Sequence, residues 1–413
     1  MPEAKGAGSR GAPPPRLKRH GSRAERAWQG PALFSYGFRP FFLFAAIHAA
    51  LAIALWLLAL GGGEIPSPFA PLDWHRHEML YGYAPAVIAG FLFTAVPNWT
   101  GRLPVTGRPL IALFLLWLAG RVAMLLPLPP LLLASLDAAF LPLLLALMAR
   151  EIITGRNWRN VKVLAPLLAL SAGNIWFHAE ILAGSSADGP VRLAFAAILL
   201  LIMLIGGRIT PSFTRNWLVR QGEGRLPTPF NRFDMLILAL SALLFVAWVF
   251  LGSIAPLALP FALLALLHAL RLTRWAGERC LANPLLLVLH IAYATIPLGI
   301  ALLALAAWSG DTAMEIAALH VFGIGTIGGM TNAVMIRASL GHTGRPLFAT
   351  PAINAIFALI AVSLLLREAA ALLPGTAWML TASGLAWILA YGLFVMIVGP
   401  WLLTPRQRKQ ARG

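Results

Sequence analysis

The chain has 413 residues, 59% of them hydrophobic and only 11% charged, with a mean hydropathy of +0.78; a soluble domain carries about 25% charged residues, so an ordinary soluble fold is excluded. The net charge of +17 does not point to a nucleic acid, because most Lys and Arg fall between apolar runs, where they set membrane orientation. The single cysteine, Cys280, excludes an internal disulfide framework and any Cys-based zinc or iron–sulfur site within one chain.

Residues 1–33 are rich in Gly, Pro, Arg and Lys with almost nothing to bury, and read as a disordered basic tail able to touch anionic membrane lipid. Apolar runs bounded by Pro, Gly and charge then predict helices over 38–60, 79–98, 109–127, 130–149, 163–183, 191–208, 234–252, 254–270, 284–307, 313–336, 350–367 and 376–403. Most approach the roughly 20 residues a bilayer requires. The expected fold is an all-α polytopic membrane bundle of twelve helices over residues 34–404, followed by a basic tail at 405–413.

Lys and Arg sort the two ends of this bundle. Of the 32, 28 fall in the N-terminal segment and in every second connection, and only Arg76, Arg192 and Arg367 fall on the other side. Arg121 lies inside the third helix, where Asp137 of the fourth reaches a similar depth, so the two are expected to pair. The split is a positive-inside signal for an even helix count with both termini cytoplasmic, in the inner (plasma) membrane of a bacterium.

The same alternation assigns depths to the nine histidines. His75 and His77 begin the second helix, His178 ends the fifth and His320 begins the tenth, so four share the outer layer. His48 sits near the midplane, His290 deeper toward the inner side, His268 and His342 at the inner surface, and His20 in the tail. A lone membrane histidine is more often a contact between helices than a ligand, but imidazoles from three helices in one layer suit haem iron or copper. His75 and His77 lie about 200° apart on a helix, so they are expected to serve different partners: His75 with His320 for haem, His77 with His178 for a copper or second site, and His48 with His290 as the next pair. Asp73 is a candidate N-cap, and Arg76 suits an anionic group such as a haem propionate. Counted at helical spacing from His75, Gly82 and Gly90 extend a smooth strip able to accept a flat ring, as does the glycine series Gly323, Gly325, Gly328 and Gly329 after His320.

Several stretches carry a resemblance to a known family. The run from Trp74-His75-Arg76-His77-Glu78-Met79 through Ala89-Gly90-Phe91 to Pro97-Asn98-Trp99-Thr100-Gly101 resembles the NnrS family of bacterial membrane proteins. So do Asn157-Trp158-Arg159-Asn160, Pro211-Ser212-Phe213-Thr214-Arg215-Asn216-Trp217, and the segment from Arg337 to Arg345. The resemblance implies twelve helices, haem and copper as cofactors, and relief of nitric oxide or nitrosative stress alongside denitrification, with nitric oxide or a nitrosyl species as ligand. It supplies no ligand assignment, no redox partner and no catalysed reaction. Pro85 and the polar Gly329 and Asn332 depart from it locally. Histidines on the second and tenth helices also resemble haem–copper oxidases and nitric oxide reductases in architecture, without the adjacent copper-binding histidines or an obvious series of intramembrane carboxylates. The alternatives from other classes are a secondary transporter of a metal or small metabolite, against which the lack of an internal repeat argues, and a membrane sensor or metal-insertion factor.

Overall fold

The computed structural model describes residues 28–373 and 375–407. The tail expected before residue 28, His20 within it, and residues 408–413 lie outside the described residues. What is described of the N-terminal segment is ordered: the Trp28 indole donates to the Pro31 carbonyl at 2.8 Å, and a short 3-10 turn spans Ala32–Phe34.

Twelve long helices follow, and the described residues contain no strand. They are α1 (Phe38–Leu60), α2 (Pro71–Thr100), α3 (Arg108–Ala123), α4 (Pro130–Thr154), α5 (Trp158–Ala183), α6 (Asp188–Leu218), α7 (Arg232–Leu251), α8 (Ala255–Thr273), α9 (Pro284–Ser309), α10 (Thr312–His342), α11 (Pro351–Leu372) and α12 (Trp378–Leu403). Eleven are long and apolar enough to cross a membrane; α3, with 16 residues, is the short twelfth. The protein is an all-α, multi-pass membrane protein. Proline at a first helical turn costs no hydrogen bond, and Pro71, Pro130, Pro284 and Pro351 open four of these helices. Gly101 and Gly184, at φ 71 and φ 67, close α2 and α5 in the left-handed conformation that lets a chain leave a helix. Several boundaries differ from expectation: α3 ends at Ala123 rather than 127, α6 runs on to Leu218 rather than 208, α4, α10 and α11 extend five or six residues further, α5 begins at Trp158 rather than 163, and α2 begins at Pro71 rather than 79, with Ala70 as its N-cap and Asp73 inside its first turn.

The large apolar side chains left exposed, such as Leu131, Phe250, Leu365 and Met396, are what a lipid-facing surface needs. Burial varies steeply among the helices. The most apolar stretch of α2 is 78% buried and that of α11 only 17%, so α2 is the central element and α11 a peripheral one. The first helix packs on both α2 and α12. Arg39, in the first turn of α1, donates to the carbonyls of Leu402 at 2.9 Å and Thr404 at 2.6 Å, satisfying acceptors that a helix C-terminus leaves open. Both described chain ends therefore lie at one end of the bundle, as an even helix count requires.

Candidate metal and cofactor sites

The second helix is where local sequence chemistry shapes the site. Pro85 has no N–H and its ring crowds the carbonyl four residues before it, at Tyr81. The helix answers with a π-helical segment over Glu78–Tyr83, between regular turns at Pro71–His77 and Ala84–Thr100. The wider turn rephases the faces below the histidines. His75, Met79 and Tyr83 come to line one cavity, while Gly82 turns away from it. A matching π segment, Val321–Gly328, follows His320 in α10. Such segments are rare and frequently mark functional positions.

Between α1, α2, α6, α10, α11 and α12 lies a cavity of about 360 Å³, within the roughly 300–1,000 Å³ of small-molecule sites. Its walls are mostly apolar, with Trp56, Leu57, Ile324 and Trp387 among them, and His75, His320, Arg76 and Arg367 supply its polar groups. It sits at the end of the bundle away from the chain termini, since Leu60 ends α1 and Leu380 begins α12 there. The two imidazoles are held differently. His320 Nδ1 lies 2.8 Å from the Ile316 carbonyl and must donate to it, which leaves Nε2 with a free lone pair. His75 stacks on Trp56 with ring centroids 4.6 Å apart, its buried Nδ1 has no hydrogen-bond partner, and among the described residues its side chain makes no hydrogen bond. Arg76 lies 3.2 Å from Asp188 and 3.7 Å from Asp73, so it is paired and at the cavity rim at once. Gly323, with nothing within 4 Å of an added Cβ, keeps the α10 wall open.

His77 faces the other way, into a buried polar cluster. Its Nδ1 is 3.0 Å from Glu78 Oε1, and its Nε2 is 3.0 Å from both Asn174 Oδ1 and Asp137 Oδ2. His178 Nε2 reaches the same Asp137 oxygen at 2.8 Å, and the Asn174 amide donates to it at 2.9 Å. Arg121 pairs with Glu78 and with the other oxygen of Asp137, so the ion pair expected between Arg121 and Asp137 is present. His48 Nε2 completes the cluster 3.1 Å from Glu78 Oε2. Glu78 and Asp137 are 1% and 2% exposed; Asp137 was expected within the membrane, and Glu78 was not. With one N–H on a neutral ring, His77 cannot donate to acceptors at both nitrogens. The cluster is thus built for either a second proton on His77 or a cation in its place. Ligand atoms of His77, Asp137 and His178 lie within 4.8 Å of one another, an N, N, O set that suits copper, zinc or iron.

The match to a known family covers almost this whole core: residues 32–406 match the NnrS protein family. The chain belongs to the NnrS family. No curated protein matches it. The residues singled out in the sequence divide cleanly within this NnrS fold. His75, His320 and Arg76 reach the cavity, and His77 and His178 reach the carboxylate cluster. Gly82 and Gly90 line neither as ring supports, contrary to the helical count from His75, because the π segment shifts the register. A Cβ on Gly82 would come 2.5 Å from the Arg121 guanidinium and 2.9 Å from His48, and one on Gly90 would strike Phe42 at 2.7 Å, so both glycines permit close packing. Gly325, Gly328 and Gly329 do the same against Thr295, Trp387 and Ala292.

His48 and His290 do not form a pair. His48 belongs to Glu78, whereas His290 Nε2 is 2.9 Å from Thr214 Oγ1, in a setting of Trp275 and Gly277. His268, expected at the inner surface, is fully buried between Ser241 and Tyr293. The sequence reading missed Glu78 and Asn174 as cluster members and Arg367 at the cavity. A signal for Arg367 existed, since it is one of three basic residues at that end. Asn174 carried none.

Proposed function

We infer that the chain, as a member of the NnrS family, is a membrane protein of the nitric oxide response. We propose that it binds haem between His75 and His320 and copper at His77, Asp137 and His178, and that it relieves nitrosative stress from the outer half of the bacterial inner membrane, with both termini in the cytoplasm. The observation that carries this reading is the cavity itself: two imidazoles on facing helices with ligating nitrogens uncommitted, apolar walls, and arginines at its edge. The 28 to 3 division of basic residues supports the orientation.

The protein's own contribution is positioning. The Ile316 carbonyl fixes the His320 tautomer and Trp56 fixes the plane of the His75 ring. Arg76 and Arg367 supply positive charge for propionates, and the surrounding side chains exclude water. Haem iron, when bound, supplies a centre that takes up nitric oxide, an apolar gas that partitions into the bilayer. In the neighbouring cluster the Nε2 atoms of His77 and His178 converge on Asp137 and would supply lone pairs to copper on losing their protons there, while Arg121 balances part of the carboxylate charge.

The absorption spectrum of the purified protein tests this. An intense Soret band that shifts on adding nitric oxide is the expected result. Colourless protein with no copper, from cells supplied with both, overturns it. A periplasmic signal from a reporter fused after Lys162 overturns the orientation alone.

A further inference from the structure

A wider concavity, of about 840 Å³, opens at the end of the bundle that carries the chain termini. Three of the stretches quoted above converge on it: Trp99 near the end of α2, the segment Arg156 to Asn160 running from the α4–α5 link into the first turn of α5, and Ser212 with Arg215 near the end of α6. Four arginines, Arg156, Arg159, Arg208 and Arg215, line it and no carboxylate does. Among the described residues none of the four forms an ion pair.

Arg208 is held in place. Its guanidinium donates to Asn160 Oδ1 at 3.0 Å, the Asn160 amide donates to Asn157 Oδ1 at 2.8 Å, and the Asn157 amide donates to the Trp99 carbonyl. The same guanidinium lies 5.8 Å from the Phe230 ring centre, and the Lys162 ammonium lies 5.6 Å from that ring. Two cations thus share one aromatic ring with no anion between them. A guanidinium carries five donors, and one of those on Arg208 is occupied by a described residue. Like charges gathered beside a low-dielectric bundle repel unless an anion joins them. Guanidinium forks match phosphate oxygens, and basic pockets between membrane helices at the cytoplasmic side suit phosphate headgroups.

We propose that this pocket binds a phosphate group, with Arg208 as its fixed donor and Arg159 and Arg215 closing on it. The group is carried by an anionic lipid or by a soluble phosphate compound. Thermal unfolding of the full chain in nanodiscs separates these sources, comparing phosphatidylcholine alone, phosphatidylcholine with phosphatidylglycerol, and phosphatidylcholine with pyrophosphate in the buffer. At least one probe is expected to raise Tm by several degrees. Stabilisation by phosphatidylglycerol alone identifies a lipid site, by pyrophosphate alone a soluble ligand, and by both a site for the shared group. The gain is expected to disappear in Arg159→Gln/Arg215→Gln and to persist in Arg108→Gln/Arg232→Gln, which removes the same charge from exposed positions at the same end. Arg208→Lys keeps the charge but loses the fork, and is expected to weaken the effect about tenfold in probe concentration, the scale of one charge-assisted hydrogen bond. The proposal is overturned if neither probe stabilises the unsubstituted chain, or if the pocket variants and the control variant respond alike.

Discussion

His75 and His77 are two residues apart on one helix and live in opposite chemistries. The His75 side chain faces an apolar cavity and makes no hydrogen bond among the described residues, while His77 meets an acceptor at each nitrogen and has no exposed surface. One imidazole has a buried nitrogen with no partner, and the other has acceptors facing both of its nitrogens. A rotation of about 200° along the helix is enough to divide them. Proximity in sequence therefore says little about shared function when the element between is a helix.

The largest expected effect is on the open side of this comparison. On the haem reading, His75→Ala or His320→Ala abolishes the Soret band or shifts it strongly, while protein yield in the membrane stays close to normal. His178→Ala is expected to remove copper with the Soret band kept, and loss of haem together with copper in that variant would merge the two sites into one.

The closed side is better probed through stability. Asp137→Ala leaves Arg121 with one carboxylate partner and strips His77 and His178 of their common acceptor. Removing one partner of a buried pair costs about 3–5 kcal/mol, so a steep loss of thermal stability in detergent is expected. A change within about 0.5 kcal/mol, the range of ordinary surface substitutions, would show that the cluster does not hold the helices together.

A finer contrast uses glycine. Gly82→Ala places a Cβ against Arg121 and His48, at a cost of about 1–3 kcal/mol for an overpacked core. Gly323→Ala meets nothing within 4 Å and is expected to be neutral or to stabilise by about 0.5–1 kcal/mol through helix entropy. Melting temperatures of the two variants decide this, and an equal loss in both would erase the distinction between filled and open faces. The smallest spectroscopic effect is expected from His268→Ala, which removes hydrogen bonds to Ser241 and Tyr293 worth about 1 kcal/mol each but leaves the absorption spectrum unchanged.

How much of this was legible in the sequence follows from the physics of each feature. Helix count and sequence were readable because lipid enforces long apolar runs and prolines and charges punctuate them. The pairing of Arg121 with Asp137 was readable because an intramembrane charge needs a partner at its own depth. The misplacement of Gly82 and Gly90 arose from assuming a constant 3.6-residue turn through Pro85, where the chain instead widens over Glu78–Tyr83. Asn174 was unreadable because its role depends on how α5 is rotated against α2 and α4, which a single-helix pattern does not encode. His268 was misjudged for a related reason: depth along the membrane was inferred from charge, but facing toward lipid or protein was not.

The clasp between Arg39 and the carbonyls after α12 has a consequence for biosynthesis. The first helix leaves the ribosome early, yet its partners include the last helix: Trp387 donates to the Ala49 carbonyl at 3.0 Å, and Arg39 waits for Leu402 and Thr404. During synthesis that face of α1 stands against lipid or a chaperone until the final span arrives. The His75 cavity shares walls from α1, α11 and α12, so it too is incomplete until then. The chamber is complete only once α12 is in place, and a chain cut short before Trp378 would carry both histidines with no chamber to hold them in.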